Sequence, residues 1–220
     1  MSQGGRRASI DLSTERLEAF SDAVIAVIMT ILALELKPPE HLTSQAIFSA
    51  IGFLLIYVLA FVNLAIWWNN HHHLLRATER ISAAVMWANM SLLFFLSLIP
   101  VATEWIKMDW AIQFEPNVPL VALPAAFFGI VSLCAAVAYS ILVRTIIAAN
   151  GPTSLVARSV HGDRKGWTSL ILYGAGVLAA IVTQNVWISY ALYVAVAIMW
   201  LIPDRRFLHE HVEDGSHPSS

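Results

Sequence analysis

Six apolar stretches, about 16–36, 46–69, 81–105, 118–147, 167–184 and 187–203, occupy most of the chain and leave only short polar breaks between them. A helix needs about 20 mostly apolar residues to cross a hydrocarbon core of about 30 Å. Irregular backbone exposed to lipid is excluded there, because its N–H and C=O groups would lack partners. The pattern therefore predicts an all-α integral membrane protein with six transmembrane helices per subunit. A hydrophobic content of 58%, with 13% charged residues, is too apolar for a soluble domain of 220 residues.

The breaks are Pro38-Pro39, the polar run Asn69-Asn70-His71-His72-His73, the stretch Lys107 to Pro119, Asn150-Gly151-Pro152, and Gln184-Asn185. The last is so short that the fifth and sixth helices must form an antiparallel hairpin. Residues 1–15 read as an N-terminal segment, 16–203 as the transmembrane domain and 204–220 as a polar tail. Arg6-Arg7 precedes an apolar run without a small-residue cleavage site, so that run is read as a retained helix. Eleven of the thirteen Lys and Arg residues fall before helix one, in the second and fourth connections, or after helix six. The positive-inside rule then puts both termini in the cytoplasm, which requires an even number of spans. The opposite side carries Glu35, Glu40, Glu104, Asp109 and Glu115 against Lys37 and Lys107, a mild attraction for cations or simply the depletion of basic residues from outer loops. Cys134 is the one cysteine, so no intrachain disulfide exists.

Arg16, Ser21 and Asp22 stand at the mouth of the first apolar helix, which continues as Ala23-Val-Ile-Ala-Val-Ile-Met-Thr-Ile-Leu-Ala-Leu34. Asp22 lies inside the segment and requires a partner, and such a residue marks a functional or assembly site by default. At about 100° per residue, Arg16, Phe20, Val27, Ile31 and Leu34 share one face, flanked by Ala23 and Thr30. Both faces are apolar, so periodicity alone does not assign a pore. Asp22 is turned about 120° from Arg16, which places its partners on other helices. In the fifth span, Ala175/Ala179 and Gly176/Ala180 are pairs of small residues that favour close helix contact, within or between subunits. Trp105, Trp110, Trp167, Trp187 and Trp200 fit interfacial anchors.

The segment Arg16-x-x-x-Phe20-Ser21-Asp22 resembles the hallmark of the endolysosomal potassium channel family, transmembrane protein 175, and of its single-repeat bacterial relatives. The resemblance is carried by the first three helices. It implies a homotetramer in a bacterial cytoplasmic membrane, with helix 1 of each subunit lining a central pore. It makes Val27, Ile31 and Leu34 an apolar constriction and matches Thr30 to a threonine associated with potassium preference. Arg16, Phe20, Ser21 and Asp22 would form a polar network placing the pore helix, with His72, which follows Trp68 by one turn, and Asn89 as candidate partners. For Asn89 the bland alternative is an ordinary hydrogen bond to a neighbouring helix, which would be its whole role. Pro100-Val101-Ala102-Thr103 matches a family Pro-Phe-x-Thr pattern without its Phe. An apolar constriction gates by dewetting, and threonine hydroxyls can replace part of an ion's hydration shell. The Thr-Val-Gly-Tyr-Gly filter is absent from the sequence.

The expected function is therefore a potassium-permeable cation channel without a P-loop filter, with potassium as the permeant ion and membrane lipids as neighbours. A secondary transporter of a small cation or solute is the alternative, and it should show interrupted spans in paired halves. An enzyme is not expected, since no nucleophile or paired acid converges with the histidines. Within the His71-His72-His73 run, consecutive side chains diverge and no Cys, His or Glu follows at helical spacing, so no metal or other cofactor is expected. Nothing suggests nucleic-acid binding.

Overall fold

The computed structural model describes residues 4–39, 41–112, 122–159 and 164–202. Among the described residues eight helices follow in order: α1 Gly4–Leu34, α2 Ser44–Arg76, α3 Ala83–Ser97, α4 Ile99–Ile112, α5 Leu123–Asn150, α6 Leu155–Ser159, α7 Arg164–Thr183 and α8 Val186–Leu201. Among the described residues five segments are long and apolar enough to cross a membrane: Thr14–Leu34, Ser44–Arg76, Ala83–Met108, Leu123–Asn150 and Arg164–Thr183. The sixth apolar helix, α8, has 16 residues. At about 1.5 Å per residue it measures about 24 Å, just under a hydrocarbon thickness. The polar tail read over 204–220 lies outside the described residues.

α2 differs from its expected span of 46–69. It starts at Ser44, where Thr43 Oγ1 accepts the Ala46 N–H at 3.2 Å, and it runs unbroken through Asn69-Asn70-His71-His72-His73 to Arg76. Asn and His cost only a few tenths of a kcal/mol per residue in a helix. Tertiary partners for this polar turn outweigh that preference: His71 and His72 bond to other helices, and the Tyr139 hydroxyl donates to the Asn70 carbonyl.

The third span is made of two helices. Pro100 has no N–H, and its ring opposes the carbonyl of Leu96, so the ladder breaks at Leu98, whose N–H turns to Phe95 O at 3.2 Å. α4 then continues to Ile112 through residues expected to form a loop from Lys107. The Lys107 ammonium explains the extension, since it donates to Glu35 O at 2.7 Å and pairs with Glu104 one turn away. Glu104 is thereby neutralised by Lys107.

α5 is the central helix, with Ala125, Ala126, Gly129, Ser132, Ala135 and Ala136 buried along a narrow face that admits its neighbours closely. Pro124 sits in its first turn, where the missing N–H has no helical partner in any case. At the other end Asn150 Oδ1 accepts the Glu79 and Arg80 N–H groups at 3.1 and 2.7 Å, tying the α2–α3 connection to α5. Gly151 closes α5 at φ 94°, a conformation suited to glycine.

α7 and α8 form the antiparallel hairpin expected from the short Gln184-Asn185 link. Ser189 Oγ donates to Gly176 O, Trp200 Nε1 to Ser169 Oγ and Lys165 Nζ to Ile202 O, each at 2.8 Å. A Cβ on Gly176 would lie 2.3 Å from Tyr193 Cε1, so glycine is required for this approach. The contact made by Gly176 and Ala180 is therefore within the subunit.

Candidate functional site

The first helix has two faces of different fate. Leu17, Ser21, Ile25, Ile28 and Leu32 recur at intervals of three and four residues and are buried against the bundle. Phe20, Val27, Ile31 and Leu34 stand on the other side, 49%, 55%, 44% and 77% exposed, with Arg16, Ala23 and Thr30 also exposed among them. All seven residues of the face read from the sequence are left uncovered by their own subunit. Thr30 Oγ1 donates to Val27 O at 2.8 Å, which satisfies its hydrogen within the helix and leaves the oxygen lone pairs directed outward as acceptors.

Two polar chains anchor the opposite side. In the first, Ser21 Oγ donates to Leu17 O at 2.8 Å and accepts from Asn89 Nδ2 at 2.9 Å, while Asn89 Oδ1 lies 2.6 Å from His71 Nε2. Ser21, Asn89 and His71 are all completely buried, so this chain is a low-dielectric lock joining α1, α2 and α3. In the second, Asp22 Oδ1 accepts from Trp68 Nε1 at 3.0 Å and Asp22 Oδ2 lies 3.1 Å from His72 Nδ1. Glu18 Oε1 approaches the same nitrogen at 3.2 Å. Trp68 stacks on His72, with ring centroids 5.5 Å apart and planes 29° from parallel, which fixes the imidazole.

Of the residues proposed for the polar network, the structure brings together Ser21, Asp22, His72 and Asn89. It places Arg16 and Phe20 on the exposed face instead, and among the described residues Arg16 makes no ion pair. Three members were missing from the sequence reading: His71, Trp68 as a donor, and Glu18. The i, i+4 spacing of Glu18 and Asp22, which sets both carboxylates on one face, was the available signal. The choice of His71 over its neighbours could be made only by the rotation of α2.

A separate cavity of about 430 Å³ lies between α2, α5, α7 and α8, lined in part by Asn63, Trp67, Arg144, Tyr173 and Trp200. Among the described residues none of α1 lines it, so it is distinct from the exposed α1 face.

A family profile described as "Endosomal/lysosomal potassium channel TMEM175" matches residues 16–100, the stretch that holds every member of both polar chains. A potassium channel of Chryseobacterium sp. is 39% identical over 191 residues, covering 87% of this chain and 94% of the relative. A potassium channel of Chamaesiphon minutus is 25% identical over 198 residues, covering 86% of this chain and 94% of the relative. The crystal structure of a lysosomal potassium-selective channel TMEM175 homologue from Chamaesiphon minutus superposes with a TM-score of 0.65 at 21% identity, covering 86% of this chain and 96% of that one. The profile match and the identity to the Chryseobacterium protein over most of both chains lead to one conclusion: this chain belongs to the TMEM175 family of potassium channels.

Proposed function

We propose that the chain is one subunit of a homotetrameric, potassium-permeable cation channel whose pore is lined by four copies of α1. The observation that carries this reading is the division of α1 into a face locked to its own subunit and a face bearing Phe20, Val27, Thr30, Ile31 and Leu34 that its own subunit leaves open. A single subunit offers too few polar groups to enclose a water-filled path, so the path forms where open faces meet. Val27, Ile31 and Leu34 then make stacked apolar rings that control conduction by dewetting, and Thr30 supplies a ring of acceptor oxygens between them. Selectivity arises from these side chains, without a P-loop filter.

The subunit crosses the membrane six times, with α3 and α4 acting as one span and α8 as the last. Both termini face the cytoplasm of a bacterial inner membrane, in keeping with the distribution of Lys and Arg. Glu18, Asp22 and His72 then lie at the cytoplasmic entrance, clear of the constriction.

Purified protein reconstituted in liposomes with an outward potassium gradient tests the reading. Potassium efflux that saturates with protein content, is collapsed by a protonophore-balanced equal-potassium control and exceeds sodium efflux is the expected result. Vesicles no leakier to potassium than empty ones, from protein shown to be folded and inserted, would overturn it.

A further inference from the structure

Glu18, Asp22 and His72 present three potential ligand atoms, all within 4.8 Å of one another. The carboxylates come from one face of α1, a turn apart, and the imidazole comes from α2. His72 Nδ1 lies 3.1 Å from Asp22 Oδ2 and 3.2 Å from Glu18 Oε1. Zinc bonds to nitrogen and oxygen of about 2.0–2.1 Å imply ligand-to-ligand separations of about 3.3 Å at a tetrahedral centre. The two observed separations match that edge with little adjustment.

Charge gives a second, independent argument. Two carboxylates stand side by side at 19% and 29% side-chain exposure, and among the described residues neither pairs with a lysine or arginine. A neutral imidazole leaves the site with two negative charges, which a divalent cation cancels. The surroundings also hold the ligands in place. Trp68 Nε1 bonds the far oxygen, Oδ1, of Asp22 and the Trp68 ring stacks on His72, so one residue outside the set orients two ligands. Such supporting contacts raise metal affinity. The histidine run has no further ligand at helical spacing on α2, the ground for expecting no metal; the carboxylates beside His72 come from α1.

We propose that His72 Nδ1, Asp22 Oδ2 and Glu18 Oε1 bind a divalent transition metal of the zinc class, with water as the fourth ligand, clamping the start of α1 to the end of α2. A nitrogen with two oxygens suits zinc, whereas calcium takes six to eight oxygen ligands and magnesium an octahedral oxygen shell.

The test is binding of zinc chloride to the purified, chelator-stripped full-length channel in detergent, read by calorimetry and by the midpoint of thermal unfolding. This readout is independent of ion conduction, so its failure is separable from failure of the channel reading. Wild type should bind zinc saturably and gain thermal stability as zinc rises. Glu18→Gln should weaken binding at least about tenfold while leaving metal-free unfolding close to that of wild type. Glu18→His should retain it, because an imidazole is a competent zinc ligand, and His72→Gln should abolish the zinc-dependent rise. The proposal is overturned by absence of zinc binding to wild type, by equal affinity in Glu18→Gln, or by calcium or magnesium binding as tightly as zinc. Binding that survives in Glu18→Gln would show that other histidines hold the metal.

Discussion

Asn89 gives an Nδ2 hydrogen to Ser21 Oγ over 2.9 Å, and this contact ties the middle of α3 to the polar end of α1. The amide orientation has a consequence for its other neighbour: Asn89 Oδ1 is an acceptor only, so His71 must carry its proton on Nε2. His71 Nδ1 is then an acceptor with no partner among the described residues, which makes the Nε2 bond its one compensation. Asn89→Leu should therefore cost about 1–3 kcal/mol by stranding the His71 N–H in an apolar setting. Removing both groups, as Asn89→Leu with His71→Leu, should recover part of that loss. Thermal unfolding in detergent checks both, and equal stability of the single and double variants would break the argument.

Shrinking the exposed apolar face of α1 should open the conduction path. Val27→Ala, Ile31→Ala and Leu34→Ala each reduce side-chain bulk at a proposed ring, which favours wetting. Single-channel conductance should rise and ion preference should relax in at least the narrowest ring. If all three variants conducted as wild type, α1 would not line the pore. Their stability should change little, because these side chains are uncovered within the subunit.

Thr30→Val keeps the shape of the side chain and removes its oxygen. The hydroxyl hydrogen is already committed to Val27 O at 2.8 Å, so what the proposed pore lining loses is an acceptor. The potassium-to-sodium permeability ratio, measured from bi-ionic reversal potentials, should fall while expression holds. An unchanged ratio would move selectivity to the apolar rings or the backbone.

Asp22→Ala removes the acceptor of the Trp68 indole and one of the two carboxylates facing His72. Its side chain is directed to α2 and away from the open face, so the expected defect is placement of α1 and not contact with the permeant ion. Folded yield, or the stability of the proposed tetramer on size-exclusion chromatography, should drop, with a loss of about 1–3 kcal/mol in unfolding stability. A variant equally stable and fully assembled that no longer passed potassium would show Asp22 acting on the ion directly.

Hydropathy alone determined that this chain is helical and membrane-bound, because a bilayer leaves no other way to satisfy a long apolar backbone. Sequence spacing likewise grouped Arg16, Phe20, Val27, Ile31 and Leu34 on one face, since side-chain direction in a helix follows from the residue number, but only packing decided that this face is the open one. It also showed that Asp22 needs partners beyond its own helix. Which partners these are was decided by tertiary structure. The polar turn Asn69 to His73 reads as an interruption until α1 and α3 are packed beside it; then His71 faces Asn89, His72 faces Asp22 and Glu18, and the helix continues to Arg76. The rotation of α2 that separates adjacent histidines into a buried lock and a partly open carboxylate cluster is set by packing between helices, which no single helix's periodicity contains.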